Sequence, residues 1–490
     1  MTQPENKQSN QSQIIKTRED TVPVTLLPEK SETKDRFKLK DDVSCSWTKA
    51  GEQIGPEKLR ERIEPWLTAL CQSEHLSLLV GSGLTHAIHS LATDKPLPGM
   101  DPKDFKTLGD VIKTEVKRAA ERLGRGEGNI EDQIRVVNEL IRGLEILAAP
   151  KGDDASERQQ AEDLRQELSE TLQSFAASIL KGEYNLASAP DGNGNEGQNY
   201  AQSEEAKKCE GREAAFNYLV SFLMTFASRS GTRDRLHLFT TNYDRYIEIG
   251  ADVAGLRLVD RFVGTLAPIF RASRLDVDLH YNPPGIRGEP RYLEGVARFT
   301  KLHGSVDWVD CNGEIRRIGL PFGANDIGPY LQAPGLKGAT PLQLMIYPNA
   351  AKDVETLFYP YSELFRDFAA AICRPNSTLC CYGYSFGDEH INRIIEDMLT
   401  IPSAHLVIIS YSDPLGRIMR AYERLGRGAQ ITLLIGDHLG DLKTLVDHYL
   451  PKPAIDRTTI RMADLIKARL GAQIQVSQAP APENEGGALV

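Results

Sequence analysis

Several signatures of common function classes are missing from this sequence. The seven cysteines (45, 71, 209, 311, 373, 380 and 381) are odd in number and form no CxxC pair. That excludes a cysteine zinc ribbon and fits a reduced compartment. There is no GxxxxGK[ST] phosphate loop, no HxH and no HExxH. Neither a P-loop ATPase nor a catalytic metal is therefore expected. The opening stretch MTQPENKQSNQSQ lacks the apolar core of a signal peptide, and no apolar run reaches membrane-spanning length. The expectation is a cytoplasmic protein without a membrane partner. No repeat period is visible.

Positive charge is also in short supply. The net charge is −10, which argues against a broad nucleic-acid surface, so direct nucleic-acid binding is not expected. What is present is length and apolar content. The 490 residues are 40% hydrophobic, enough for one large domain or two to three ordinary ones. Residues 1–50 are rich in Gln, Asn, Lys and Glu and read as a flexible arm. A folded domain is expected over 55–450, interrupted by a helical insertion at about 105–230. Residues 451–490 read as a C-terminal helix and a disordered tail.

Within the domain, short apolar runs alternate with helical stretches. HLSLLVGSG, LHLFTTN, ARFTKLHGS, STLCCYGYS, AHLVIIS and QITLLIG have the length and apolarity of buried strands. EAAFNYLVSFLMTFAS, DEHINRIIEDML and PLGRIMRAYERLG have helical patterning. Buried strands interleaved with helices predict an α/β fold, a Rossmann-like, mostly parallel sheet with helices on both faces. Ligands of such sheets sit at the carboxyl ends of the strands. The residues there are small or polar in every case: Gly81-Ser82-Gly83, Thr241-Asn242-Tyr243-Asp244, His303-Gly304-Ser305, Gly383-Tyr384-Ser385, Ser410-Tyr411-Ser412 and Gly436-Asp437-His438.

Each motif also has a purely structural reading. Glycines after a strand let the backbone approach a pyrophosphate at a helix N-terminus, or they simply make a tight turn. On the ligand reading, Gly83→Val weakens binding more than folding. The third glycine of a dehydrogenase fingerprint is absent, and Asp101 follows KPLPGM rather than a strand. Asn242 or Asp244 can cap the next helix. His303 can be a structural hydrogen-bonder. The alternatives stay open on each motif alone.

In order along the chain, GSGLT (81–85), NIEDQI (129–134), TTNYD (240–244), LHGS (302–305), GYSFGDEHIN (383–392) and IGDH (435–438) together resemble a sirtuin-like NAD-hydrolysing domain family. The branch they resemble occurs in prokaryotic antiphage defence proteins, and within it the expectation is the sirtuin-type partner of a HerA-like ATPase system. The resemblance implies a phosphate loop at Gly81, Ser82, Gly83 and Thr85. It implies that Asn242 and Asp244, with Thr241 beside them, approach the nicotinamide ribose, and that His303 is the catalytic histidine. Gly383 and Ser385 would hold the adenosine side, with Asp437 near adenine. The chain departs from sirtuin deacylases in three ways. It lacks their four-cysteine zinc module, it has KPLPGMDPKDF without an arginine after the glycine loop, and it carries the long helical insertion.

What the resemblance then implies is an NAD glycohydrolase that depletes NAD in antiviral defence by abortive infection. NAD would be the substrate and no cofactor would be required. An oligomer with a HerA-like ATPase partner is expected by the same analogy. The rival readings are an NAD-dependent deacylase or ADP-ribosyl transferase, a non-catalytic module sensing NAD or ADP-ribose, and a DNA nuclease component. Nicotinamide leaves NAD as a neutral base, so cleavage needs no strong acid. It needs a held pyrophosphate, an amide to orient water or a ribose hydroxyl, and a base such as imidazole.

Overall fold

The computed structural model describes residues 12–452, apart from 18, 30–35, 41–44, 50, 94, 99–100, 123–127, 152–154, 191–210, 230–232, 274–278, 282–290, 337–338, 341–342 and 346–358. Four N-terminal strands come first: β1 (Gln13–Lys16), β2 (Val24–Pro28), β3 (Phe37–Leu39) and β4 (Gln53–Ile54). Helix α1 (Pro56–Cys71) leads into β5 (His75–Val80) and α2 (Ser82–Thr93). Four helices follow, α3 (Gly109–Arg122), α4 (Ile130–Ala148), α5 (Ser156–Ala187) and α6 (Gly211–Ala227). Then come β6 (His237–Thr240), α7 (Tyr246–Ala254) and β7 (Arg257–Val259). The short strands β8 (Phe262–Val263), β9 (Ile269–Phe270), β10 (His280–Tyr281) and β11 (Arg291–Tyr292) precede β12 (Val296–Lys301). The rest is β13 (Trp308–Cys311), β14 (Glu314–Arg317), α8 (Tyr361–Ile372), β15 (Ser377–Tyr382), α9 (Glu389–Leu399), β16 (His405–Ser410), α10 (Arg417–Leu425) and β17 (Ile431–Ile435).

Seven strands form a parallel sheet in the order β17-β16-β15-β5-β6-β12-β7. From β5 the chain builds β6 on one side and later places β15 on the other. The crevice between β5 and β15 is thus a topological switch point, where open α/β sheets bind ligands. Strand residues are apolar on both faces because both faces are covered. Leu78, Val80, Leu238, Tyr382 and Ile409 pack with α1, α2, α6 and α7. Their neighbours Leu79, Phe239, Cys381 and Ile408 pack with α8, α9 and α10 on the opposite face. Fully burying one such side chain is worth about 1.5–3 kcal/mol. Among the described residues, no helix is long and apolar enough to cross a membrane.

Two expectations need correction. The arm expected over 1–50 includes three strands of the sheet: β1 pairs antiparallel with β17, and β2 and β3 extend from it, with β4 beyond residue 50 pairing on β3. Composition misled because the polar residues here are buried with partners. Lys16 is 1% exposed and donates to the carbonyls of Gly428 (2.5 Å) and Ile431 (3.2 Å). Gln13 is 0% exposed and accepts from the amides of His438 and Leu439, both at 3.1 Å. Pairing on β17 also covers what would be a sheet edge.

The second correction concerns the insertion. Helices α3, α4 and most of α5 build a separate core, in which Ile112, Ile134, Leu164 and Leu172 meet Val306, Ile318 and Leu344. Helix α6 does not share it. Leu219, Phe222 and Phe226 lie in the core of the main sheet, so α6 is one of its covering helices. The C-terminal helix and tail expected over 451–490 lie outside the described residues, except for 451 and 452.

Candidate active site

Two adjoining cavities open at the carboxyl ends of the strands. The first, about 420 Å³, is lined by Gly81, Thr85, Thr241, Asn242, Asp244 and His303 among others. The second, about 790 Å³, is lined by Gly83, Gly383 and Ser410 with parts of α2 and α10. Ser82, His86, Ser385 and Arg417 line both. Ten of the eleven residues expected at the site therefore converge on one two-lobed cleft.

Asp437 is the exception and is corrected here. It lines neither cavity; its carboxylate takes a hydrogen bond from the Gln13 amide of β1. The N-terminal strand that was expected to be flexible supplies that partner.

The turn after β6 is fixed atom by atom. Asn242 is 8% exposed, and its Nδ2 donates to the carbonyl of Gly81 and to Thr85 Oγ1, both at 3.0 Å. A carbonyl can only accept, so the amide orientation is settled. The nitrogen faces the glycine turn, and among the described residues nothing donates to Oδ1. Asn242 therefore offers the cavity a hydrogen-bond acceptor. Thr85 passes its own proton to Asp244 Oδ2 at 2.7 Å, and Asp244 Oδ1 accepts from the Tyr246 amide at 3.1 Å, at the start of α7. Asp244 is thus a brace and partial helix cap.

Behind the turn, Lys301 is 1% exposed and donates to the Asp244 carbonyl (2.5 Å) and to Glu248 (3.0 Å). Arg245 forms a buried ion pair with Glu183 of α5 at 2.5 Å, and burial pushes that carboxyl up against the guanidinium's pull. Tyr246 Oη donates to the Gly182 carbonyl at 2.9 Å. The long inserted helix is thereby tied to the turn that carries Asn242.

His303 follows β12. Gly304 has φ +89°, and a Cβ there would run into the Met345 carbonyl, so the residue after the histidine must be glycine. His303 Nε2 meets Asp388 Oδ2 at 2.8 Å. The other oxygen of Asp388 accepts from the His390 amide at 3.0 Å and caps α9. An ionised carboxylate only accepts, so it selects the Nε2–H form of a neutral imidazole and leaves Nδ1 to take a proton.

The partnership of Asp388 with a histidine 85 residues away has no local signal. Reading the motifs also missed the residues that the insertion sends into the first cavity. Glu131 of NIEDQI lines it and accepts from Tyr243 Oη at 3.3 Å, and Phe175 and Ile179 wall it. Burial and that carboxylate push the Tyr243 phenol well above its ordinary range, so it remains a donor. Burial lowers the His86 imidazole against the attraction of Asp244.

The glycine turns have a role different from the expected one. Gly83 packs on Gly383, where a Cβ would stand 2.6 Å from the Gly383 Cα, and Gly383 has φ +61°. These glycines let two backbone turns cross at the switch point, so Gly83→Val strikes the fold before it strikes a ligand. Gly383 to Gly387 also has the GxSxG spacing of a hydrolase nucleophile elbow. The positive φ angles fall on Gly383 and Phe386, and among the described residues no histidine is hydrogen-bonded to Ser385. The segment is not a serine nucleophile in an elbow.

A family model described as a SIR2-like domain matches residues 236–431, from β6 to the first residue of β17. No curated protein matches the chain. The matched span carries Asn242, His303, Ser385 and Asp388, while the glycine turn after β5 and the inserted helices lie outside it. Over residues 236–431 the chain is thus similar to SIR2-like domains.

Proposed function

We propose that the cleft binds NAD and hydrolyses it to nicotinamide and ADP-ribose. The observation that carries this reading is the first cavity. It brings together an asparagine whose Oδ1 faces inward and a histidine oriented by Asp388, beside the turn that starts α2. The SIR2-like match is compatible with NAD-dependent activity.

In the proposed reaction the ribose C1′–nitrogen bond breaks. Its electron pair leaves on the nicotinamide ring nitrogen, which is cationic in NAD and becomes neutral. The ribose cation is captured by water, whose proton passes to His303 Nδ1 and on to solvent. Asn242 Oδ1 accepts a hydrogen bond from that water or from a ribose hydroxyl and fixes its position. No step calls for a metal or a second cofactor. The inserted helices wall the first cavity with Glu131, Phe175 and Ile179, which favours water over a peptide as acceptor.

The test is to incubate the purified protein with NAD and measure free nicotinamide, with and without an acetyl-lysine peptide. Release without peptide is expected. Release only with peptide makes the protein a deacylase. Ligand-induced stabilisation without release makes it a sensing module.

We further infer that the enzyme is a defence effector acting as an oligomer gated by a HerA-like ATPase partner. An unregulated NADase would deplete its own host. The support is the resemblance of the ordered motifs, together with the ion pair that ties α5 to the catalytic turn. Light scattering, with turnover followed on dilution and on partner addition, tests it. A monomer with concentration-independent activity and no response to a partner overturns it.

A further inference from the structure

We propose that Arg417 is the residue that reads the diphosphate of a dinucleotide, and that it makes the two-lobed cleft select a dinucleotide over its separate nucleosides. The inference rests on the NAD reading of the cleft and adds to it a residue outside every motif that suggested that reading.

Four observations converge on Arg417. It lines both cavities and so stands where the two lobes adjoin. A dinucleotide with one nucleoside in each lobe has its diphosphate at that junction. Second, among the described residues Arg417 is the one arginine lining either cavity, and Lys95 of the second cavity is the one lysine. Among the same residues, five carboxylates face them: Glu131, Asp244 and Asp388 in the first cavity, Asp413 and Asp441 in the second. An anionic ligand entering so acidic a cleft needs a compensating cation at its charged centre. His86, which lines both cavities, does not supply it, because burial lowers its imidazole toward the neutral form.

Third, the local geometry brings the guanidinium to the turn after β15. A Cβ placed on Gly387 would stand 3.0 Å from Arg417 Nη1 and 3.5 Å from Ser385 Oγ. Arginine and serine thus both lie beside Gly387, and Ser82 at the start of α2 lines the same two cavities. A planar guanidinium, a hydroxyl and a helix N-terminus are the donors that phosphate oxygens take.

Fourth, helix stability does not explain the residue. Arg417 is the first residue of α10, where a cation opposes the helix dipole. The cap is supplied instead by Asp413, which accepts from the amides of Ile418 (3.2 Å) and Met419 (3.0 Å). Four of the five cleft carboxylates are committed in this way to backbone amides: Asp244, Asp388, Asp413 and Asp441.

The experiment is calorimetric binding to the full chain and its R417A and R417K variants. The probes are NAD, ADP-ribose, adenosine and nicotinamide riboside. R417A is expected to lose about 10- to 100-fold in affinity for NAD and ADP-ribose, the size of a charged hydrogen-bonding pair. Its affinity for the two nucleosides stays at the wild-type value, which also shows that the cleft is intact. R417K keeps the charge without the planar fork and falls between the two. Equal binding of NAD by R417A and wild type overturns the assignment, as does an equal loss for nucleosides and dinucleotides. Failure of the wild-type protein to bind either NAD or ADP-ribose overturns the NAD reading itself, and this proposal with it. Binding is read without turnover, so a catalytically silent protein still decides the matter.

Discussion

The two lobes of the cleft are built from different parts of the chain. The second lobe is made by strand ends, α2 and α10, all belonging to the Rossmann-like scaffold. The first lobe has scaffold residues on one side, Asn242 and His303, and inserted helices on the other, with Glu131, Phe175 and Gly182. In the proposed function the scaffold holds one nucleoside, and the insertion completes the lobe where the bond breaks. In the proposed enzyme, binding and reaction are therefore separable by mutation, and each prediction below tests that separation.

The largest effect is expected at the link between the two parts. Glu183→Ala leaves Arg245 charged and buried without its partner, which should cost about 3–5 kcal/mol of stability. Denaturant unfolding measures this. A variant as stable as wild type would mean that α5 is not fastened to the catalytic turn through this pair.

Next are the two groups assigned to the reaction. Asn242→Ala and His303→Ala should each slow nicotinamide release by about 100-fold or more, as for positioned acid–base groups. ADP-ribose affinity should change far less in the His303→Ala variant, since the second lobe is untouched. Near-wild-type turnover by either folded variant removes that residue from the mechanism.

Gly83→Val tests the scaffold. Its side chain meets the Gly383 backbone, so melting should fall by the equivalent of about 1–3 kcal/mol. If the variant melts with wild type and only ligand affinity falls, the glycine serves the ligand and not the crossing of the two turns. The smallest effect is expected from EDTA. Nicotinamide release should be unchanged, and loss of activity restored by a divalent ion would show that a metal takes part.

Much of the architecture was legible in the sequence because it is local. The six apolar runs from HLSLLV to ITLLI are strands of one sheet, since a strand covered on both faces must be apolar at every position. The polar residues that follow those runs were legible as a candidate site for the same reason: a buried strand has no use for them. Where composition was averaged over a long window it failed. Gln13 and Lys16 look like the residues of a flexible arm, yet both are buried, because each finds backbone partners on the far edge of the sheet.

The sequence by itself determined six parallel strands of the sheet, several of its covering helices, and the glycines, asparagine and histidine at the strand ends. Each of these depends on neighbours a few residues away, whose spacing is a property of the chain. Only the tertiary structure decided which end of the Asn242 amide faces the cavity, that Asp388 orients His303, and that Gly83 crosses Gly383. It also placed Gln13 on Asp437 and brought the inserted helices to one lobe. Those pairings span between 62 and 424 residues, from Glu183–Arg245 to Gln13–Asp437. They are set by strand order and crossover path, which no local period encodes.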